Sequence, residues 1–104
     1  MILERALITV KPGQAEAFKQ AFAKARPHIE GSKGCRKVEM RQGIEHPDDF
    51  LLLVWWDTLE AHTEGFRKSD RYQPWRQLLH HFYEPFPPVE HYEPVCGHAA
   101  PIGV

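Results

Sequence analysis

Residues 50 to 56 read Phe-Leu-Leu-Leu-Val-Trp-Trp, an apolar run too short to cross a membrane and too continuous for a strand with one wet face. A strand apolar on both sides needs cover on both sides. The rest of the chain shows what supplies it. Ile2 to Val10 is rich in β-branched and aliphatic residues and stops at Lys11-Pro12-Gly13, a turn signal. From Gln14 to about Arg26 the period changes: Phe18, Phe22, Ala25 and Ile29 share one face of a helix, with Glu16, Lys19, Gln20 and Lys24 elsewhere on the wheel. Pro27 predicts a kink or a stop at Arg26. Gly31-Ser32-Lys33-Gly34 forms a loop, and Cys35 to Gln42 alternates, with Val38 and Met40 opposite Lys37, Glu39 and Arg41.

Gly43 to Asp49 is a hairpin-scale connection into the Phe50–Trp56 strand. Behind it Thr58 suits a helix N-cap, with Ala61, His62, Gly65, Phe66 and Ser69 on one stripe. Ser69 or Asp70 starts a further helical piece that carries Pro74 near its beginning and runs through Trp75, Leu78, Leu79 and Phe82. Pro85, Pro87 and Pro88 end it, and Val89 to Val95 makes a last strand. The order strand, helix, strand, strand, helix, strand predicts an α+β fold: a ferredoxin-like βαββαβ sandwich with both helices on one face of an antiparallel sheet. The domain is expected over residues 1–95, with 96–104 a tail or arm. Leu51, Leu53 and Trp55 lie on one face of the apolar strand, and Phe50, Leu52, Val54 and Trp56 on the other. One set must occupy the helix-free face, and a patch of that size predicts a homodimer through it.

Composition narrows the partners. The 104 residues hold 13 Lys+Arg against 14 Asp+Glu, a formal charge of −1, with no basic patch to recommend nucleic acid or an anionic membrane. The Met1–Arg5 start lacks the pattern of a signal peptide, so a soluble, cytoplasmic protein is expected. Cys35 and Cys96 stand apart from any Cys-x-x-Cys and read as inert free thiols.

Lys11-Pro12-Gly13, Phe18, Gly34-Cys35, the segment Trp56-Asp57-x-x-Glu60-Ala61-His62-x-x-Gly65-Phe66-Arg67-x-Ser69, and Val89-Glu90-His91-Tyr92 together resemble the antibiotic biosynthesis monooxygenase (ABM) domain family over residues 1 to about 95. The resemblance implies a dimeric α/β barrel of two ferredoxin-like domains. In some members it implies oxidation of phenols or quinols by O₂ without metal, flavin or haem, so no cofactor is expected. Two branches of the family are disfavoured. The haem-degrading branch carries an Asn, a Trp and a His where this chain has Arg5, Phe66 and Arg76. The aromatic polyketide monooxygenases use an Asn near their substrate, and the chain contains no asparagine.

Among the chemical candidates His62 comes first: a histidine on the sheet-facing stripe has the proton affinity of a base, although a capping or core histidine would sit there too. Trp56, Phe66, Tyr72 and Trp75 are candidate walls for a flat aromatic substrate, or an ordinary aromatic core. Arg67 and Arg76 are candidates to stabilise a phenolate, and His91 is a further candidate on the last strand. The seven histidines include the adjacent pair His80-His81 and the tail residue His98, but no His-x-x-x-His, so no metal site is expected. No Gly-x-Ser-x-Gly elbow is present either. Two functions fit: a cofactor-independent monooxygenase acting with O₂ on a small phenol, quinol or anthrone-like aromatic, or a non-catalytic dimer that binds a small ligand or serves a stress role.

Overall fold

The computed structural model of the chain describes residues 1–96. Its elements are β1 (Ile2–Thr9), α1 (Ala15–Glu30), β2 (Cys35–Gln42), β3 (Asp49–Trp56), a π-helical turn (Ala61–Phe66), α2 (Tyr72–Leu79) running into a 3₁₀ turn (His80–Phe82), and β4 (Val89–Tyr92). The four strands form one antiparallel sheet in the order β2-β3-β1-β4, the ferredoxin-like arrangement. Among the described residues no helix is long and apolar enough to cross a membrane.

Parity along the strands divides the sheet into two unlike faces. Phe50, Leu52, Val54 and Trp56 of β3, together with Ala6 and Ile8 of β1 and Val38 of β2, are buried beneath the helices. Phe18, Phe22, Ala25 and Ile29 of α1, with Trp75 and Leu79 of α2, close the core from above. Burial of each large side chain in this layer stabilises the fold by roughly 1.5–3 kcal/mol. On the other face Leu51, Leu53 and Trp55 stay half-exposed, and the register places them beside Leu7, Arg5 and Leu3 of β1.

Two boundaries differ from expectation. Helix α1 passes through Pro27 and ends at Glu30. The proline removes one internal hydrogen bond, but stopping there would expose Ile29, the fourth member of the buried stripe; the Arg26 guanidinium also ties the helix to the Val38 carbonyl at 3.0 Å. Strand β4 ends at Tyr92 rather than Val95, where Pro94 offers no N–H to a ladder. The expected tail lies, beyond Cys96, outside the described residues.

One glycine fixes how the second helical region meets the sheet. Gly34 has φ +86°, and a Cβ there would lie 2.7 Å from Cβ of Ala61, so the loop before β2 presses directly on the start of the π-helical turn. The Gly34 carbonyl also accepts the Asp57 N–H at 2.8 Å.

Candidate active site

Thr58 begins the segment that builds the site. Its Oγ1 accepts the Ala61 N–H at 3.1 Å, as an N-cap should. The backbone then opens into a wider turn, with the Arg67 N–H donating to the His62 carbonyl five residues back at 3.1 Å. Such π turns carry one residue more than an α turn and recur at functional sites. Both His62 and Phe66 point into the core from this turn.

The group that meets them was not foreseen. Glu4, on β1, is only 4 % exposed, with an otherwise apolar layer around it. Its Oε1 accepts the Trp56 indole N–H at 2.9 Å and lies 3.4 Å from His62 Nε2. The other ring nitrogen, His62 Nδ1, lies 2.8 Å from Nε2 of His91, which β4 places directly opposite Glu4. The Trp56 and His62 rings stack with centroids 5.2 Å apart and planes 17° from parallel. His62 thus stands between His91, to which it is hydrogen-bonded, and Glu4, which it approaches at 3.4 Å without a formed hydrogen bond, with Trp56 supporting both from behind.

Burial sets the proton affinities. It pushes the Glu4 carboxyl from 4.5 up to about 7, against the lowering influence of the Trp56 N–H and the Arg67 charge. It pushes His62 from 6.5 down to about 3, with Arg67 and His91 acting in the same direction. His91 is lowered too, by burial first and by Arg67 second. His62 is therefore a neutral ring at physiological pH and a weak base by itself. The group whose affinity matches neutral pH is Glu4.

These residues border a cavity of about 40 Å³ between sheet and helices, lined by Glu4 and His62 on one side and Phe66, Tyr72, Trp75 and Phe86 on the other. Phe66 anchors the aromatic wall, with edge-on contacts to Tyr72 at 5.5 Å and Trp75 at 5.9 Å. The space accommodates roughly three water-sized molecules. An aromatic ring needs more room than this, and Phe86, 56 % exposed and edge-on to His80 at 4.8 Å, is the most exposed aromatic of the wall.

Of the residues anticipated from sequence, His62, Phe66, Tyr72 and Trp75 line the cavity. Trp56 stands behind it as a support for Glu4 and His62, and His91 joins through its bond to His62. Arg76 is misplaced by the sequence reading: it is exposed on α2, one position round the helix from buried Trp75, and does not border the cavity. Arg67 is the arginine that does. Glu4, His80 and Tyr83 also border it and were missed. For Glu4 a signal existed, since it shares parity with Ala6 and Ile8, the buried apolar residues of β1. Cys35 has its thiol pushed up to about 11 by burial and by the charges of Glu30 and Glu4, which makes it a poor nucleophile. Among the described residues no three His, Cys, Asp or Glu side chains converge on a possible metal position.

Comparison with known proteins agrees with this architecture. An uncharacterized protein of Bacillus subtilis strain 168, YczJ, is 47 % identical over 95 residues, which span 91 % of this chain and all of that protein. The crystal structure of a candidate antibiotic biosynthesis monooxygenase from Bordetella bronchiseptica superposes with a TM-score of 0.86 at 36 % identity, covering 91 % of this chain and 97 % of that one. A second candidate monooxygenase, from Nitrosomonas europaea, shares the fold with a TM-score of 0.79 at 19 % identity over 92 % of this chain and the whole of that one. The family model described as antibiotic biosynthesis monooxygenase matches residues 1–78, and the chain belongs to that family.

Proposed function

We propose that the protein is a monooxygenase that oxidises a small phenol, quinol or anthrone-like aromatic with O₂ and needs no cofactor. The observation that carries the reading is a buried acid–base chain, Glu4–His62–His91, at the edge of an aromatic-lined cavity. Chemistry of this kind needs a proton removed from the substrate, the resulting electron-rich anion held away from bulk water, and O₂ admitted to it. For an anthrone the balance is simple: the CH₂ becomes a carbonyl with one oxygen atom, the other oxygen leaves as water, and the substrate supplies all four electrons. Arg67, whose charge already lowers the proton affinity of its neighbours, is placed to favour the anion.

The working unit we propose is a homodimer joined through the helix-free face. Leu3, Leu7, Leu51, Leu53, Trp55 and Tyr92 form its apolar part, and Trp55, Leu3, Tyr92 and Met1 border a shallow basin of about 470 Å³. A partner sheet would cover what the helices leave bare. Light scattering at micromolar concentration should give about twice the chain mass of 12.1 kDa.

The second reading, a non-catalytic dimer that holds a small ligand, is favoured by one observation: His62 is buried and its proton affinity is pushed down to about 3, so by itself it is a packed core histidine rather than a working base. Oxygen consumption by chelator-treated protein, over a panel of hydroquinones and anthrones, separates the two. Turnover with ¹⁸O incorporated into product supports the oxygenase. Saturable binding of the same compounds without oxygen uptake supports the ligand carrier.

A further inference from the structure

We propose that Glu4 is the group that takes the substrate proton, and that His62 and His91 form a tautomer-coupled relay between Glu4 and solvent. The first half rests on the oxygenase reading; the relay itself does not. A neutral imidazole carries one ring proton, so the 2.8 Å contact between His62 Nδ1 and His91 Nε2 requires that one ring donate while the other accepts. The charge on Glu4 decides which.

When Glu4 is a carboxylate, a small closure of the 3.4 Å gap lets it accept from His62 Nε2–H, which leaves His62 Nδ1 to accept from His91 Nε2–H. When Glu4 is protonated it donates to His62 Nε2, and His62 Nδ1–H then donates to His91 Nε2. The two arrangements interconvert by three short transfers. One proton arrives at His91 Nδ1 from water, one passes from His91 Nε2 to His62 Nδ1, and one passes from His62 Nε2 to Glu4. The net change is a single proton taken up, and in neither of the two arrangements is a ring left as an imidazolium. That matters because His62 is only 3 % exposed and burial opposes a cation there. His91, on the edge strand β4 and half-buried, is the member that meets water.

The surroundings permit this coupling. Trp56 from β3 donates to Glu4 in either state. Arg67, at the end of the π turn, favours loss of protons from Glu4, His62 and His91 alike. Cys35 of β2 stays protonated, as its affinity near 11 requires. Across the cavity stand Tyr72, His80 and Tyr83; burial lowers the proton affinity of His80 and raises that of Tyr83, which keeps both uncharged.

Long-range ¹H–¹⁵N correlation spectra of the intact, ¹⁵N-histidine-labelled protein between pH 5 and 9 test the relay without substrate. His62 and His91 should exchange Nδ1–H for Nε2–H patterns together, with one shared midpoint near 7, and Glu4→Gln should leave both rings in a single tautomer throughout. Rings that keep one tautomer across that midpoint in the wild type, or that still exchange in Glu4→Gln, overturn the relay. In turnover assays Glu4→Gln should lower kcat by about 10²–10⁴-fold with KM little changed. His91→Ala should lower kcat less and regain activity with added imidazole buffer, a rescue that a merely structural histidine would not show. Oxygen uptake with no effect of Glu4→Gln overturns the role of Glu4. Exchanging tautomers with no oxygen uptake on any quinol leave the relay standing and remove the oxygenase reading alone.

Discussion

The two faces of strand β3 are made from nearly the same residue types and do different things. Phe50, Leu52, Val54 and Trp56 face the helices and are at most 4 % exposed, whereas Leu51, Leu53 and Trp55 are half-exposed among Arg5, Glu39 and Arg41. The inner face has its cover built in. It can therefore tolerate a carboxyl and an imidazole, because Trp56 and His91 satisfy them. The outer face has no cover within the chain, and charged Arg5, Glu39 and Arg41 alternate with its apolar side chains. Hydrophobicity alone does not tell the covered face of a strand from the uncovered one; what the neighbouring elements pack against does.

The adjacent tryptophans give the strongest contrast. Trp56→Ala removes a fully buried ring and a hydrogen bond to Glu4, and should cost about 3–5 kcal/mol. Trp55→Ala should cost the isolated chain under about 1 kcal/mol and act instead on association. Thermal melts of both variants at several concentrations decide it, and equal concentration-independent losses would erase the distinction between the faces. Next, Leu53→Asp places a charge in the centre of the proposed interface, beside Arg5 and Glu39. It should weaken the dimer by roughly 3–5 kcal/mol and yield folded monomer in sedimentation. A dimer that survives it is built through another surface.

A third test concerns pH. Because burial raises Glu4 from 4.5 to about 7, the folded state keeps a proton that the unfolded chain releases, and stability present below about pH 4.5 is lost as pH rises to about 7. His62 acts oppositely: lowered from 6.5 to about 3, it contributes stability above about pH 6.5 that is lost as pH falls towards 3. The two slopes offset each other between roughly 4.5 and 6.5. Glu4→Gln removes one of them, so between pH 5 and pH 8 the variant should gain about 2–3 kcal/mol on the wild type in denaturant titrations. An unchanged difference would mean that Glu4 ionises as if in water. Smallest of all, Arg76→Ala should stay within about 0.5 kcal/mol of wild type and leave turnover unchanged, since the side chain is exposed and away from the cavity.

Much of this was readable from local pattern. Alternation in Cys35–Gln42 and the Phe18-Phe22-Ala25-Ile29 stripe each name an element and its buried side without reference to the rest of the chain, while the apolar run of Phe50–Trp56 names a strand and leaves open which of its faces lies under the helices. The site was only half readable, because it is assembled by register. His62 and Phe66 carry a local signal, but the bond between His62 and His91 exists only because β4 pairs with β1 so that His91 faces Glu4. Glu4 was obscured by its neighbours: Leu3 and Leu7 are as apolar as Ala6 and Ile8, so the alternation in β1 does not announce which parity is inside. Arg76 shows the converse failure, since a helix stripe cannot tell a cavity wall from the residue one step round. Pro27 shows that a local breaker yields when stopping would strand a buried side chain.

The wide turn at Ala61–Phe66 makes the chain sensitive to a kind of change that substitutions do not probe. A single residue removed between Glu60 and Phe66 would let the segment relax to an ordinary α turn, and each residue of an α-helix rotates the next by about 100°. Everything downstream would then arrive turned and drawn back by a fraction of a turn, with Gly34 still pinning the segment's start against Ala61. Phe66 would leave the cavity wall or His62 would leave Glu4, but both could not stay. Length in this segment should therefore be held more tightly than identity: a library that replaces residues 63–65 should yield many folded proteins, and one that deletes any of them should yield almost none with the histidine pair intact.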